Sequence, residues 1–278
     1  MNRISRLAAV LFLIVFLGAC RLFNPTQPGG LPGVPVAGTP AAPGSEPTST
    51  PVAATDQPAQ GTPTIVLATK DFREESSDPR YEIDVEWPEL QWNDDPRVEA
   101  FNQAAEALAR EEIDIFMQGV ESTPDDPAFA EFGSSLSVSF TPTYLDSGLF
   151  SVHIPVSFYM AGAAHPAHYS RALSYDLRDG HMLTLEELFQ PGAPYLETIS
   201  TFCLDDLAAR GTLAWEEGAQ PKAENFQVWN ITPGGLQITF DPYQVAPYAS
   251  GPQTVLIPYE RLKDVVNPEG PLAKLGVQ

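Results

Sequence analysis

The sequence predicts an α+β fold, a mostly antiparallel sheet with two main helices packed on it, preceded by a disordered tether. Three observations carry this. Several runs alternate apolar and polar residues with a period of two. Two stretches repeat apolar residues every three or four positions, the mark of a helix with one buried stripe. The segment ahead of them is dominated by Pro, Gly, Ala, Thr and Ser and has almost no large apolar side chain after Phe23, so it cannot offset its ordering entropy by burial.

Taken in order, Ile65, Val66 and Leu67 open a strand. Residues 81–87 alternate strictly, with Tyr81, Ile83, Val85 and Trp87 on one face and Glu82, Asp84 and Glu86 on the other, which predicts a half-buried strand that Pro88 ends. Asn93, Asp94 or Asp95 can cap a helix with Pro96 at its first position. Its stripe is Val98, Phe101, Ala105, Leu108, Glu112 and Ile115, and it should run to about Gly119 before a loop over 122–132. Leu136, Val138 and Phe140 form one alternating run; Phe150, Val152, Ile154, Val156 and Phe158 form the next, with Ser151, His153, Pro155 and Ser157 between them. Asp146-Ser147-Gly148 separates the two runs and predicts a hairpin. Residues 169–177 make a further strand closed by Arg178-Asp179-Gly180, and Thr184 to Glu187 reads as a capping box. Residues 194–210 predict the second helix, with Leu196, Ile199, Cys203 and Leu207 or Leu204 facing a core. A second hairpin, 226–231 and 236–240, turns at Pro233-Gly234-Gly235; 254–257 is a last strand and 259–266 a last short helix.

The N-terminus carries a separate message. Arg3 and Arg6 precede an apolar run over 7–18, short of the ~20 residues a membrane span needs. It ends in Leu17-Gly18-Ala19-Cys20. Basic residues, apolar run, small residues and cysteine in that order predict a lipoprotein signal peptide over 1–19, cleaved before Cys20. A diacylglycerol on the Cys20 thiol and a further chain of the palmitate kind on the freed amine would supply the two anchors that stable membrane attachment requires. The expected organisation is therefore the signal peptide (1–19), the lipidated cysteine and disordered linker (20–63), an N-terminal strand-helix part (64–132) and a C-terminal part (133–278). Ten prolines fall in residues 21–63, giving a tether whose reach lies between about 40 Å as a coil and about 130 Å as polyproline.

Charge bounds the partners. The chain has 15 basic and 36 acidic residues, a formal net charge of −21. Such a surface repels nucleic acid and anionic headgroups and attracts a basic partner, so no nucleic-acid role is expected. Cys203 is the second of two cysteines; with Cys20 lipidated no internal disulfide forms, and Cys203 falls at a core position as a small buried hydrophobe. His165 and His168 lie three apart, but Pro166 between them and the separate positions of His153 and His181 argue against a zinc set, and neither metal nor cofactor is expected. Carboxylate pairs at Glu111-Glu112, Glu186-Glu187, Asp205-Asp206 and Glu216-Glu217 read as solvated faces. No nucleophile elbow, phosphate loop or His-Glu-x-x-His is present, and the sequon Asn230-Ile231-Thr232 is read as chance. Tyr243, Pro247, Tyr248 and Gly251 form an aromatic, proline-rich loop that either braces the sheet or, if exposed, recognises protein or glycan.

The order of motifs is informative as a set. Gly162-Ala163-Ala164-His165-Pro166 is followed by a Tyr-rich strand, by Asp176-Leu177-Arg178-Asp179-Gly180, and by Leu183-Thr184-Leu185-Glu186-Glu187-Leu188-Phe189. Phe226, residues 235–240 and residues 241–251 come next, and Val255-Leu256-Ile257-Pro258-Tyr259 closes the series. This order, over about residues 149–266, resembles the family called domain of unknown function 3298 (DUF3298). That domain forms the C-terminal part of the lysozyme-sensing anti-sigma factors of the RsiV type and accompanies a deacetylase domain in some wall enzymes. Residues 64–130 resemble the segment that usually precedes it, domain of unknown function 4163 (DUF4163). A lipid-anchored chain has no cytoplasmic side, so sigma regulation by this chain alone is not expected, and no deacetylase domain is read in the sequence.

The resemblance implies a non-catalytic binding or sensing module at the cell envelope, outside the cytoplasm and held to the membrane by the N-terminal lipid. Its ligand would be a cell-wall component such as peptidoglycan or a cationic protein such as lysozyme. Gly162, His165, Pro166, Tyr243 and Tyr248 are the candidate binding residues. An enzyme acting on cell-wall glycan and a structural scaffold for other envelope proteins are the alternatives.

Overall fold

A computed structural model describes residues 65–92, 95–123 and 132–275. The expected signal peptide, Cys20 and the tether lie outside the described residues, as do Asn93, Asp94 and most of the 122–132 loop. The α+β expectation holds among the described residues. One sheet contains β1 (Val66–Ser77), β2 (Arg80–Gln91), β3 (Ser134–Val138), β5 (Leu149–Tyr159), β6 (Ala167–Asp176) and β7 (His181–Met182) in that spatial order, with β4 (Thr141–Leu145) also paired to β5. A second sheet has the order β10 (Gln253–Pro258), β9 (Gly235–Phe240), β8 (Trp229–Thr232). Helix α1 (Arg97–Ser122) packs on the first sheet and α2 (Tyr195–Ala209) on the second. Every pairing is antiparallel except β2 with β3, which are parallel. A parallel pair needs a crossover, and α1 is that connection. The boundary expected at 132/133 runs through this sheet, since β2 and β3 are neighbours.

Helix α1 begins beside Asp95, whose Oδ1 accepts from the Arg97 amide at 3.0 Å. Its buried stripe is Val98, Phe101, Ala105, Ala109, Glu112, Phe116 and Val120. The expected positions Leu108 and Ile115 are displaced from it, Ile115 being 50% exposed. A seven-residue repeat falls behind the 3.6-residue turn of a straight helix, so over two turns the stripe steps from 108 and 115 to 109 and 116. Glu112 corrects a second expectation. It is 1% exposed rather than solvated. It accepts from Arg171 Nε at 2.8 Å and from the Tyr169 hydroxyl, both on β6, while the neighbouring Glu111 stays at the surface, 3.5 Å from the Arg171 guanidinium. The other three carboxylate pairs are solvated as expected: Glu186, Glu187, Asp205, Glu216 and Glu217 are exposed, and Asp206 pairs with Arg210 at 2.7 Å.

Three further corrections concern element ends. Pro88 does not end β2, which keeps register with β1 to Gln91. β3 flanks β2 only as far as Val85, so the later edge is open and a residue without an N–H costs no ladder bond there. Asn102 of α1 covers that edge: its Oδ1 accepts from the Leu90 amide at 2.8 Å and its Nδ2 donates to the Leu90 carbonyl at 2.9 Å. The run through Leu136 and Val138 is not the hairpin partner before Asp146: it ends as β3, and a separate strand, β4, follows it. β4 makes the hairpin with β5 at Asp146, whose Oδ1 accepts from the amides of Gly148 and Leu149 at 2.7 and 2.8 Å. β3 pairs with the far half of β5, Val138 opposite Val156. The helix expected at 259–266 is a single 3₁₀ turn, Tyr259–Arg261. Beyond it the carbonyls of Val265 and Val266 accept from the amide and side chain of Gln190, at 2.9 and 3.1 Å, which pins this segment beside residues 188–190.

The second core sits between α2 and the three-stranded sheet, with Ile199, Cys203 and Leu207 against Ile238, Phe240 and Val255. Cys203 is buried there, and burial pushes its thiol up to about 12. Half of the expected capping box is present: the Glu187 carboxylate accepts from the Thr184 amide at 2.6 Å and from its hydroxyl at 2.7 Å, while the 3₁₀ turn Glu186–Leu188 starts after Leu185 without a side-chain cap. Among the described residues no helix is long and apolar enough to cross a membrane.

Replacing Glu112 by Ala would leave Arg171 and Tyr169 without their shared acceptor in a mostly buried interface. Breaking such a pair is expected to cost about 3 kcal/mol, read as a lower urea midpoint with an unchanged slope. An unshifted midpoint would show that the pair holds nothing together.

Candidate functional site

The register of β5 and β6 builds the site. Side chains alternate across a strand, so the even positions of β5 (Phe150 to Phe158) and the odd positions of β6 (Tyr169 to Tyr175) face α1. The opposite face carries Ser151 beside Ser174, His153 beside Ala172, Pro155 beside Ser170 and Ser157 beside His168. The second sheet covers the lower part of this face. There Ser151, wholly buried, shares a hydrogen bond with Ser174 at 2.8 Å and accepts from Asn230 Nδ2 at 3.1 Å and from the Ile231 amide at 3.0 Å. Asn230 is 0% exposed, so the sequon is a buried sheet contact.

Above Ser151 the face is open. A cleft of about 370 Å³ is floored by His153, Pro155, Ser157, His168 and Ser170, bounded on one side by Ser137 and Ser139, and walled by Asp241, Pro242 and Pro252 from the segment between β9 and β10. Sequence reasoning did not assemble His153 with Asp241. The residues are 88 positions apart, and the signal available was the polar half of the β5 alternation.

The floor is unevenly satisfied. Asp241 Oδ1, His153 Nδ1 and Asn230 Oδ1 are buried with no hydrogen-bond partner. Burial holds the His153 imidazole below its ordinary pKa, against the opposing pull of the Asp241 charge and of Asn230. Burial also raises the Asp241 carboxyl above the usual carboxylate range, despite the Ser170 donors and the charges of His153 and Arg171.

Four of the five candidate binding residues meet at the mouth of this cleft. The Tyr248 ring lies 4.3 Å from the His165 ring, 5.7 Å from Tyr243 and 5.9 Å from His168, the last nearly parallel at 24°. The Tyr248 hydroxyl donates to the Pro166 carbonyl at 2.6 Å, and His165 Nδ1 donates to the same oxygen at 2.7 Å. A carbonyl only accepts, so neutral His165 carries its proton on Nδ1 and turns Nε2 to solvent. Gly162 stands apart: it supplies a positive φ of 88° to the turn after β5, where the Ala163 amide bonds the Met160 carbonyl at 2.9 Å. His165 and His168 are exposed, and Tyr243 is 59% exposed. Tyr248 itself is half-buried among them.

Tyr243 also has φ 71°, the left-handed region, which a residue with a Cβ occupies at a cost of about 1–3 kcal/mol. Gln244 holds it there. Its Oε1 accepts from the Asp241 amide at 3.2 Å, and its Nε2 donates to the carbonyls of Gly218 and Asn225 at 2.9 Å each. Gly218 must lack a side chain, because a Cβ would fall 1.9 Å from the Gln244 carbonyl oxygen. Among the described residues no group of three or more His, Cys, Asp or Glu side chains is placed to hold a metal ion.

A family model described as a protein of unknown function, DUF3298, matches residues 186–260, within the 149–266 span where the resemblance was read. A curated protein of Bacillus subtilis (strain 168), named peptidoglycan-N-acetylmuramic acid deacetylase PdaC, is 30% identical over 110 residues, which are 38% of this chain. Those residues cover 24% of that protein, so the chain spans about a quarter of the length of this relative. A solved DUF3298 family member from Bacteroides fragilis superposes with a TM-score of 0.53 at 13% identity, over 77% of this chain and 97% of that one. This likeness shows a shared fold. Another, from Pseudomonas aeruginosa, has a TM-score of 0.45 at 17% identity over 74% and 95% of the two chains.

The His153 imidazole should titrate below the ordinary value of about 6.5 when followed by NMR. D241N should move it lower still, since the Asp241 charge is what favours the imidazolium. Because the folded pKa is depressed, the stability this group contributes is complete above its ordinary value and is lost as pH falls from there through the lower folded pKa. A His153 that titrates at or above the ordinary value would contradict the burial assigned to it.

Proposed function

We propose that this chain is a bacterial lipoprotein, cleaved after Ala19 and anchored through acyl chains on Cys20, which presents a non-catalytic binding domain outside the cytoplasm. Residues 20–63 serve as the spacer, and residues 64–132 are the DUF4163-like part that leads into the DUF3298-like part. The ligand is a component of the cell wall. One observation carries the reading: an ordered patch of rings, the half-buried Tyr248 with the exposed His165, His168 and Tyr243, stands at the mouth of a cleft. Exposed aromatic side chains held by hydrogen bonds and backbone strain suit recognition, because little conformational entropy remains to be lost on binding. The name of the B. subtilis relative, a deacetylase of peptidoglycan, supports a wall ligand.

Binding fits the site better than catalysis. Hydrolysis of a glycosidic bond uses two carboxyl groups facing each other across the substrate. The cleft has a single lining carboxylate, Asp241. A second reading, capture of a cationic protein such as lysozyme, draws on the formal charge of −21 and on acidic side chains along the wet face of β2. Such binding would weaken steeply with salt, whereas a glycan would not.

Envelope fractionation with mass spectrometry of the N-terminal peptide, followed by co-sedimentation with purified sacculi, tests the proposal. The expected result is a diacylglycerol-modified Cys20 terminus and sedimentation that persists at 0.5 M salt, a level at which the screening length falls to about 4 Å. Recovery of an unprocessed Met1 terminus, or failure to sediment at any salt, would overturn it. The same preparation should show no thiol reactive to Ellman's reagent while native and one after denaturation, because Cys203 is buried and Cys20 is acylated.

A further inference from the structure

We propose that the cleft over the outer face of β5 and β6 is a subsite for an uncharged N-acylated hexosamine ring, stacked against Tyr248 at its mouth. The proposal rests on the cell-wall reading above and narrows it to one sugar class and one place.

The lining excludes most other ligands by charge. No Lys or Arg lines the cleft. The nearby Arg171 points to the other face of β6, where Glu112 holds it at 2.8 Å. A phosphate, nucleotide or carboxylate would thus enter without a counter-charge. A cation would find one carboxylate, Asp241, with its Oδ1 sealed from the surface and, among the described residues, no further carboxylate, thiol or imidazole grouped with it to complete a metal site. What remains is a neutral ligand.

The lining also has the two-sided chemistry of a sugar. Pro242 and Pro252 form apolar walls over the Pro155 floor, while Ser137 and Ser139 on one side stand beside Ser157. The serines recur because β3 and β5 present alternate positions to this face, with Ser137 directly opposite Ser157. A pyranose has an apolar C–H face and a girdle of hydroxyls, so it can lie on rings and prolines while it bonds serines. The methyl of an N-acyl group suits the proline-walled slot. A volume near 370 Å³ is at the lower end of small-molecule sites and holds one or two sugar units.

The rings set the direction of entry. His168 belongs both to the cleft floor and to the ring cluster, lying 5.9 Å from Tyr248, so the two features are continuous. Tyr248 is fixed by its bond to the Pro166 carbonyl, and Tyr243 is held exposed at φ 71° beside it. A chain of sugars would place one unit in the cleft and the next on these rings. A polyproline segment would use the rings but would leave the serine hydroxyls unpaired.

Titration calorimetry of the detergent-solubilised full chain with the tetramer of N-acetylglucosamine tests this, with the de-N-acetylated tetramer as comparator. Binding should be seen with the acetylated tetramer and should weaken by about tenfold with the comparator and in Y248A. Y248F, which keeps the ring, should bind like the parent. Amide shifts of the parent on titration should concentrate at 137–139, 153–157, 168–170 and 241–252, a readout that does not depend on how well Y248A folds. No binding of the acetylated tetramer while sacculi still sediment the protein would overturn the subsite and leave the wall reading standing. Loss of both would overturn the two together. Binding of a peptide of residues 21–63 at the rings, with no response to the sugar, would also overturn the subsite.

Discussion

The unbroken antiparallel register of β5 with β6, from Leu149 opposite Asp176 to Phe158 opposite Ala167, gives the central part of the first sheet two faces with different duties. One face is apolar and takes α1. There Phe101 meets Phe150 and Tyr175 edge to face at 4.9 and 5.7 Å, and the Tyr175 hydroxyl reaches the Arg97 carbonyl. The other is polar and takes the second sheet. Ser151 is the joint: its one hydroxyl serves Ser174 on β6 and both Asn230 and Ile231 on β8. An unsatisfied buried donor costs about 1–3 kcal/mol, so the two sheets have to meet at this point and in this register. A one-residue slip would turn Phe150 and Val152 toward the polar side and Ser151 into the first core.

The cleft is a consequence of incomplete coverage. β8 is four residues long and covers the face near Ser151 and Ser174. Past it, residues 241–252 arch over His153, Pro155 and Ser170 without filling the space. The arch is braced from outside by Gln244, which binds the backbone of the 218–225 region, and Gly218 permits that approach. The same brace forces Tyr243 into its left-handed conformation and leaves its ring in solvent beside Tyr248. Loop strain, ring exposure and cleft therefore share a mechanical cause.

Buried charge is used sparingly and in pairs. Glu112 and Arg171 lie between α1 and β6, and Tyr169 shares the carboxylate; burial and the Glu112 charge push the Tyr169 hydroxyl up. Asp176 closes the β6 turn by accepting from the Arg178 amide at 2.8 Å and from its guanidinium, which holds its carboxyl below the usual range against the cost of burial. His153 and Asp241 differ. Both line the cleft, each with a buried atom that has no hydrogen-bond partner, and burial moves both toward their neutral forms.

By itself the sequence determined the elements and their faces. Period-two runs at 81–87 and 150–158, the Asp146 and Gly180 turns, the Thr184 cap and the stripe through Ile199, Cys203 and Leu207 are local patterns, set by backbone geometry within a few residues. It also marked His165, Pro166, Tyr243 and Tyr248 as unusual, because rings and prolines clustered in a loop have a readable signature. Only the tertiary structure decided what lay opposite each face. Glu112 looks solvated beside Glu111 until β6 brings Arg171 to it; Pro88 looks like a terminator until the absence of β3 beyond Val85 leaves its edge open. The serines and His153 of β5 look like a wet face until the second sheet and the 241–252 arch divide that face into a sealed joint and an open cleft. Burial and pairing are properties of contacts between distant segments, and a one-dimensional pattern records which side a residue takes but not what arrives there.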